Sequence, residues 1–330
     1  MKYKVLQVGT GGFGAWWCSV FLPPNVKDGL VEVVGAVDAN PAALENAKTN
    51  LGLNDSQCFT DLKTAFDKTQ ADFCTIVVPP AFHETVVDLA LAHGMNILSE
   101  KPIADTLAAS VRIANKVKSA GKKMGVTMSH RFDQDKTTFR KLLRSGEYGT
   151  LDYIITRFTC PCRKFGSWGK FRHEIPDPLM VEGSVHHLDI IADFCGAKCD
   201  TIYAQTWNPA WGEYAGDSQG LVTMYMENKT HAFYEGAKTN AVGLNCWGGE
   251  YFRAECDRAT IILDARKIKV FPLGATEWQE IPLLEQPKWL NAWLIEKYVR
   301  WLDGGEPMET NVEDNLQSVA LVFGAIESSR

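Results

Sequence analysis

Gly9, Gly11 and Gly14 stand at G-x-G-x-x-G spacing directly after Val5-Leu6-Gln7-Val8. Residues 4–8 read as a short buried strand and residues 15–21 as a helix that Pro23-Pro24 stops, so the glycines fill the turn between them. In that setting Gly9 permits the tight turn, Gly11 lets backbone N–H groups approach a pyrophosphate, and Gly14 lets the helix pack close to the strand. The phosphates then meet the positive end of the helix. A second buried strand, residues 31–37, ends in Asp38, at the distance expected of a carboxylate that accepts from an adenosine ribose. A carboxylate there repels a 2′-phosphate, and Ala39-Asn40-Pro41 offers no cation to hold one, which favours NAD over NADP. On a purely structural reading the glycines are turn residues, and Asp38 merely leads into a helix capped by Asn40 with Pro41 at its first position.

Hydride transfer from a carbinol carbon leaves a developing carbonyl, so the hydroxyl proton must go to a base poised near neutral pH. Histidine is the natural candidate. Glu182 lies four residues before His186, and on a helix both side chains leave from one face. The adjacent His187 leaves open which ring is the base. Lys101, just beyond a strand's carboxyl end, is placed to donate to the reacting oxygen and stabilise charge building there. Duller roles exist for each: a surface lysine before a proline turn, a hydrogen-bonded core histidine, a helix cap at Glu182. Pro79, Pro80 and His83 are expected to line the nicotinamide and ribose, although Pro-Pro also ends a strand. His130 and Arg131 follow the last strand of the first half, within reach of cofactor or substrate. Arg157, Arg163, Trp168, Arg172 and His173 make a segment rich in aromatics and cations, either a substrate cover or a solvated loop. Cys160-Pro161-Cys162 with His173 matches no usual zinc spacing and supplies too few ligands, so no metal is expected.

The elements that must position these residues fall into two patterns. From residue 2 to about 127, strands alternate with helices: helices at 41–51, 83–93 and 106–120, strands at 71–78, 96–99 and 123–128, and a short helix that Asp61 caps. That is the signature of a doubly wound parallel sheet, an α/β fold whose ligands bind beyond the carboxyl ends of the strands. After Arg131 a helix at 135–144 leads into alternating strand-like segments at 151–158, 201–207, 219–226, 229–234, 251–255 and 260–263. Glu227-Asn228 and Gly248-Gly249 are read as turns joining neighbours in a mostly antiparallel sheet. One helix begins near Glu182 and ends before Gly196, and two more, at 291–303 and 312–328, close the chain. The domains expected are 1–127 for dinucleotide binding and 128–330 for substrate binding and oligomerisation.

With 330 residues, 45% of them hydrophobic, the chain is long enough for two cores. A net charge of −6 argues against nucleic acid as a partner. No apolar run approaches the roughly 20 residues of a membrane helix, and the first strand follows Met1 too closely for a signal peptide, so no membrane and a cytoplasmic location are expected. Nine scattered cysteines, an odd number, suit reduced thiols better than a disulfide framework.

Taken together, Gly9-Thr10-Gly11-Gly12-Phe13-Gly14, Val78-Pro79-Pro80 with His83, Glu100-Lys101-Pro102, Arg131-Phe132 with Gly146-Glu147-Tyr148-Gly149, and Gly183-Ser184-Val185-His186-His187-Leu188-Asp189 resemble the family of glucose-fructose oxidoreductase and inositol dehydrogenase (Gfo/Idh/MocA) nearly end to end. The resemblance implies a Rossmann domain followed by an α/β domain whose open sheet builds homodimers or homotetramers. It implies NAD(P)-dependent oxidation of a hydroxyl on a sugar, cyclitol or related polyol. Cofactor contacts are implied for residues 9–14, including Thr10, Gly12 and Phe13, and for Asp38, Pro79, Pro80, His83, Glu100, Lys101 and His130. Substrate contacts are expected from Lys101, Arg131, Arg157, Trp168, Glu182, His186 and His187, with Lys101, His186 and Glu182 catalytic. Glu182 departs from the family's usual aspartate by one methylene, which leaves open whether it orients the base or binds substrate. Some relatives use a transient oxidation for net glycoside cleavage, and others bind without turnover, so a NAD-assisted hydrolase or lyase and a sugar sensor stand as alternatives.

Overall fold

The computed structural model describes residues 2–330. The chain divides into two compact units, Met1–Ser129 with Pro287–Leu316, and His130–Gln286 with Gln317–Arg330. In the first, β1 (Tyr3–Val8), β2 (Val31–Val37), β3 (Cys58–Phe59), β4 (Phe73–Ile76), β5 (Asn96–Ser99) and β6 (Met124–Val126) form a parallel sheet of order β3-β2-β1-β4-β5-β6. The order reverses between β1 and β4, which makes the carboxyl ends of those strands the place where a ligand fits. Helices start where short polar side chains close the first turn: Asn40 accepts from the Ala42 amide, Asp61 from Thr64 and Thr106 from Ala109.

Two expectations change here. Pro23-Pro24 does not stop the first helix, because a π turn at Trp17–Phe21 restarts the spiral and the prolines fall in the first turn of the segment Leu22–Lys27. Residues 287–316, read from sequence as part of the second domain, return to the first unit. The helix Leu290–Leu302 places Leu294, Ile295, Tyr298 and Val299 at no more than 1% exposure, each worth roughly 1.5–3 kcal/mol of burial. Gly125 in β6 makes room for it, since a Cβ there would lie 2.7 Å from Met308 Sδ and 3.1 Å from the Tyr298 ring.

In the second unit β7 (Leu151–Thr159), β8 (Cys199–Trp207), β9 (Gln219–Met226), β10 (His231–Ala237), β11 (Tyr251–Cys256), β12 (Ala259–Asp264), β13 (Lys267–Pro272) and β14 (Gln279–Ile281) form one sheet of order β14-β13-β12-β11-β7-β10-β9-β8. All pairs are antiparallel except β7 with β10. β9 and β10 form a hairpin around Glu227-Asn228, as expected. Gly248-Gly249 does not join neighbours: β7 lies between β10 and β11. The hairpin β12–β13 escaped notice because Ala265 and Arg266, at φ 45° and 65°, make its turn without a glycine or asparagine to mark it. Alternation of buried and more exposed residues along β9 and through Gly236 of β10 shows that one face is covered and the other open. No helix among the described residues is long and apolar enough to cross a membrane.

Candidate functional site

In the first unit the relevant surface is made by backbone. Gly9 leaves β1 at φ 88° with its N–H on the Val37 carbonyl at 2.8 Å. A Cβ on Gly9 would lie 2.1 Å from the Val77 carbonyl oxygen, and one on Gly14 2.4 Å from the Gly9 carbonyl oxygen. The loop is therefore pressed against the turn after β4, and the helical run that begins at Phe13 is pressed against the loop. At the end of β2, Asp38 Oδ2 accepts from the Thr10 and Gly11 amides at 2.8 and 2.9 Å, and Oδ1 from the Asn40 amide at 2.9 Å. Thr10 is buried, its hydroxyl on the Ala43 carbonyl, while Phe13 is half exposed. A side chain at Gly11 would stand 3.5 Å from Asp38 Oδ2, filling the space over that carboxylate. These residues fit a dinucleotide: open glycine backbone for phosphates and a carboxylate acceptor for a ribose.

Around the other expected cofactor residues the structure shows anchoring. Pro79 precedes a single turn, Pro80–Phe82. His83 is fully buried, with Nε2 2.8 Å from the Val78 carbonyl oxygen and Nδ1 3.2 Å from that of Ile103. Burial lowers its pKa, so the ring is neutral and its single N–H donates to one of the two carbonyls. Glu100 Oε1 accepts from Trp17 Nε1 at 2.9 Å and Asn291 Nδ2 at 2.7 Å, and burial raises its pKa. The residue before Lys101 is thus locked into the unit, while Lys101 itself is half-buried.

In the second unit the surface is made by side chains on the covered face of the sheet and on the helical run above it. That run is a π turn, Leu179–Ser184, followed by the helix Val185–Cys195. Glu182 sits in the π turn and pairs with Arg172 Nε at 3.0 Å. Extra residues in a helical turn often mark a functional position, because they re-aim the side chains that follow. The two histidines are then separated by environment. His187 is fully buried and stacked between Phe158 and Tyr234, ring centroids 4.1 and 5.7 Å away. Burial takes its pKa down to about 4, so it is a neutral core ring. His186 keeps 6% exposure and lies against His130, ring centroids 4.5 Å apart.

Other expected contacts separate further. Arg131 donates through Nε and Nη2 to the Asp189 carboxylate at 2.8 and 2.5 Å, and Ser318 donates to the same carboxylate. The two motifs that hold Arg131 and Asp189 are therefore partners in a buried fork. Arg157 alternates with Phe158 onto the open face of β7, where it pairs with Glu235 at 2.8 Å and covers the Tyr251 ring, away from the histidines. Trp168 does belong with them: the fully buried Lys238 holds its ammonium 3.7 Å from the Trp168 ring, 4.3 Å from Phe158 and 4.7 Å from Trp247. Lys238, Trp247 and the buried pair Glu250–Lys136, 2.9 Å apart, were missed by reading motifs. The available signal was register: Lys238 continues the inward positions Ala232, Tyr234 and Gly236, and Glu250 those of Phe252 and Ala254.

The cysteine expectation is corrected at one pair. Cys160 and Cys246 form a disulfide across 86 residues, while the remaining seven cysteines are thiols. Pairing of Thr159 with Asn245 brings the two together, which spacing along the chain does not reveal.

The model of the Gfo/Idh/MocA oxidoreductase family, NAD-binding Rossmann fold, matches residues 3–128. An uncharacterised Sinorhizobium fredii protein, y4oX, is 54% identical over 100% of this chain and 94% of its own length. Inositol 2-dehydrogenase of Corynebacterium glutamicum is 32% identical over 68% of this chain, which spans 65% of that relative. Among solved structures, an Agrobacterium radiobacter oxidoreductase in complex with NAD+, L-tartaric acid and magnesium superposes with a TM-score of 0.86 at 17% identity, covering 100% and 96% of the two chains. The chain belongs to the Gfo/Idh/MocA family of NAD-binding oxidoreductases. Its fold, a parallel Rossmann sheet followed by a mostly antiparallel one, is that of the family, and its class is that of NAD-binding oxidoreductases.

Proposed function

We propose that the protein is an NAD-dependent dehydrogenase that oxidises a secondary hydroxyl of a sugar, cyclitol or related polyol. The observation that carries this is the division of labour in the pair His186-His187: one ring is withdrawn into the core, and the other, four residues after Glu182, retains 6% exposure. When bound, NAD supplies the hydride acceptor. Residues 9–14 and Asp38 bind it, with Pro79, Pro80, His83 and Glu100 holding the surrounding turns, and Asp38 turns NADP away. His186 takes the hydroxyl proton, Glu182 orients that ring or the substrate, and Lys101 stabilises the charge growing on the oxygen. Trp168 and His130 flank the substrate. The named activity of the C. glutamicum relative supports a ring polyol as substrate class.

The open face of the second sheet presents Tyr203, Leu221 and Phe233 at 55%, 49% and 42% exposure, on the adjacent strands β8, β9 and β10. We assign that face to contact with further copies of the chain, as a dimer or tetramer in the cytoplasm.

The test mixes the protein with NAD or NADP and a panel of ring polyols, sugars and simple glycosides, following NADH absorbance and products together. NADH formed from one ring polyol supports the proposal, and Lys101→Met then lowers kcat by about a hundredfold or more while NAD affinity stays within about twofold. Glycoside cleavage without net NADH replaces it with the NAD-assisted hydrolase. Tight NAD binding with neither reaction makes the chain a sensor.

A further inference from the structure

The proposed chemistry uses one histidine, yet His186 is the outermost of a connected set of ionisable groups in the second unit. Glu250, 2% exposed, stands just before β11 on the inward side. Its Oε2 accepts from Lys136 Nζ at 2.9 Å, and Lys136, fully buried, also lies 3.2 Å from Asp135 and 3.6 Å from Asp133. Its Oε1 faces two rings, His187 Nε2 at 3.7 Å and His130 Nδ1 at 3.8 Å. His130 in turn lies against His186.

Several other groups look onto this set. Asp133 Oδ2 is also 3.8 Å from His130 Nδ1, Arg266 is 3.9 Å from Asp135, and the Tyr234 hydroxyl is 3.5 Å from His187 Nδ1. Arg131 is held by Asp189, and Lys238 lies over Trp247, whose ring centroid is 5.0 Å from that of His130. Burial pushes the Glu250 carboxyl upward, but His187 and the Lys136 ammonium more than offset it and hold the group ionised. At 3.7 and 3.8 Å neither ring is within hydrogen-bond distance of the carboxylate, but an ionised carboxylate favours the tautomers that turn a proton toward it, on Nε2 of His187 and Nδ1 of His130. One buried charge thereby biases the tautomers of two rings, and one of those rings lies against the proposed base.

We propose that Glu250, fixed by Lys136, is a positioning residue for the acid–base step: it orients His130 and His187 and offsets the positive charge that His186 acquires on taking the hydroxyl proton. The proposal rests on His186 as the base. Only the proton moves, from the substrate hydroxyl to the His186 ring. Glu250 stays ionised throughout.

Two substitutions of opposite electrostatic sign test it. Glu250→Gln removes the negative charge at nearly unchanged shape, and Lys136→Met removes the positive charge beside it. In Glu250→Gln the ascending limb of kcat against pH moves about one unit lower, because the imidazolium loses its counter-charge, and in Lys136→Met it moves higher. kcat falls about tenfold or more in Glu250→Gln with KM and NAD affinity within about twofold. A merely structural ion pair gives two damaged proteins whose limbs do not move in opposite directions, and that result overturns the proposal. Glu250→Asp keeps the charge and retains the wild-type limb; a limb displaced as in Glu250→Gln counts against the charge as the cause. Proton NMR titration of the His130 ring, read without substrate or NAD, must show the same opposite displacements. It decides the matter where a variant turns over poorly, or where the wild type shows no dehydrogenase activity at all. An unchanged His130 titration in folded Glu250→Gln overturns the role of Glu250, whereas absent turnover with the NMR displacements intact overturns the dehydrogenase reading alone.

Discussion

The glycine loop of the first unit and the histidine cluster of the second are built from different materials. Around Gly9, the surface is main chain: amides, a carbonyl 2.1 Å from where a Cβ would be, and one carboxylate on two N–H groups. Around His186 it is side chain: an ion pair, stacked rings and a lysine among three aromatics, contributed by β7, β10, β11 and two helices. Backbone chemistry demands particular residue types at fixed spacing, and side-chain chemistry demands only that the fold bring suitable groups together. The first is therefore concentrated in a short motif and intolerant of change. The second is dispersed and tolerant at most positions except where a charge is buried.

The largest effect should come from the first region. In Gly9→Ala, the added methyl meets the Val77 carbonyl and the positive φ of 88° strains the residue as well. Binding of NAD, followed by tryptophan fluorescence or calorimetry, is expected to be lost with a large fall in melting temperature. Wild-type NAD affinity in that variant would break the comparison, since it would show that the loop can shift as freely as a side chain. Next in size is the buried charge of the second region. Asp189→Asn leaves the Arg131 guanidinium without its full counter-charge, and urea unfolding should show a loss of about 3–5 kcal/mol. A loss below about 1 kcal/mol would mean that the cluster tolerates even this change. A smaller effect separates chemistry from architecture in the glycine loop. Asp38→Asn keeps an acceptor near the Thr10 and Gly11 amides but removes the charge, so the ratio of NAD to NADP affinity should fall about tenfold to a hundredfold, or about 1.4–2.8 kcal/mol.

The same contrast explains what could be read in the sequence. The tight turn at Gly9 and the close packing at Gly14 were legible because a side chain there meets main chain, and the strand and helix flanking them announce their context. The sheet of the second unit was legible as alternation, but not the insertion of β7 between β10 and β11, which is a long-range pairing. His187 and Arg131 were identified as special without their roles, since nothing local says that one ring is stacked between Phe158 and Tyr234 or that Arg131 is tied to Asp189. Glu250, Lys238 and Cys246 needed the register of separate strands at once. The prolines at 23 and 24 misled because a π turn cannot be seen in local propensity.

A further expected effect sharpens the comparison by its dependence on pH. Asp133 precedes the helix Gln134–Arg144 and faces His130, and burial raises its pKa from the model-compound value of 3.8 to about 7. The folded protein therefore holds a proton on Asp133 that the unfolded chain releases between about pH 4 and 7, so this group's contribution to stability is full below pH 4 and is lost as pH rises through 7. Asn mimics the protonated form. Asp133→Asn should match the wild type near pH 4 and exceed its stability by an amount that grows up to about pH 7 and then levels at up to about 4 kcal/mol, the worth of a rise of about three units with the attraction of Lys136, 3.6 Å away, already included. Urea unfolding of both proteins across that range isolates the term, since the pH dependence of Glu250 and His187 is common to both. A difference that does not vary with pH would show that the side chains around His130 hold Asp133 ionised. The second region would then be governed, like the glycine loop, by fixed charges rather than by shared protons.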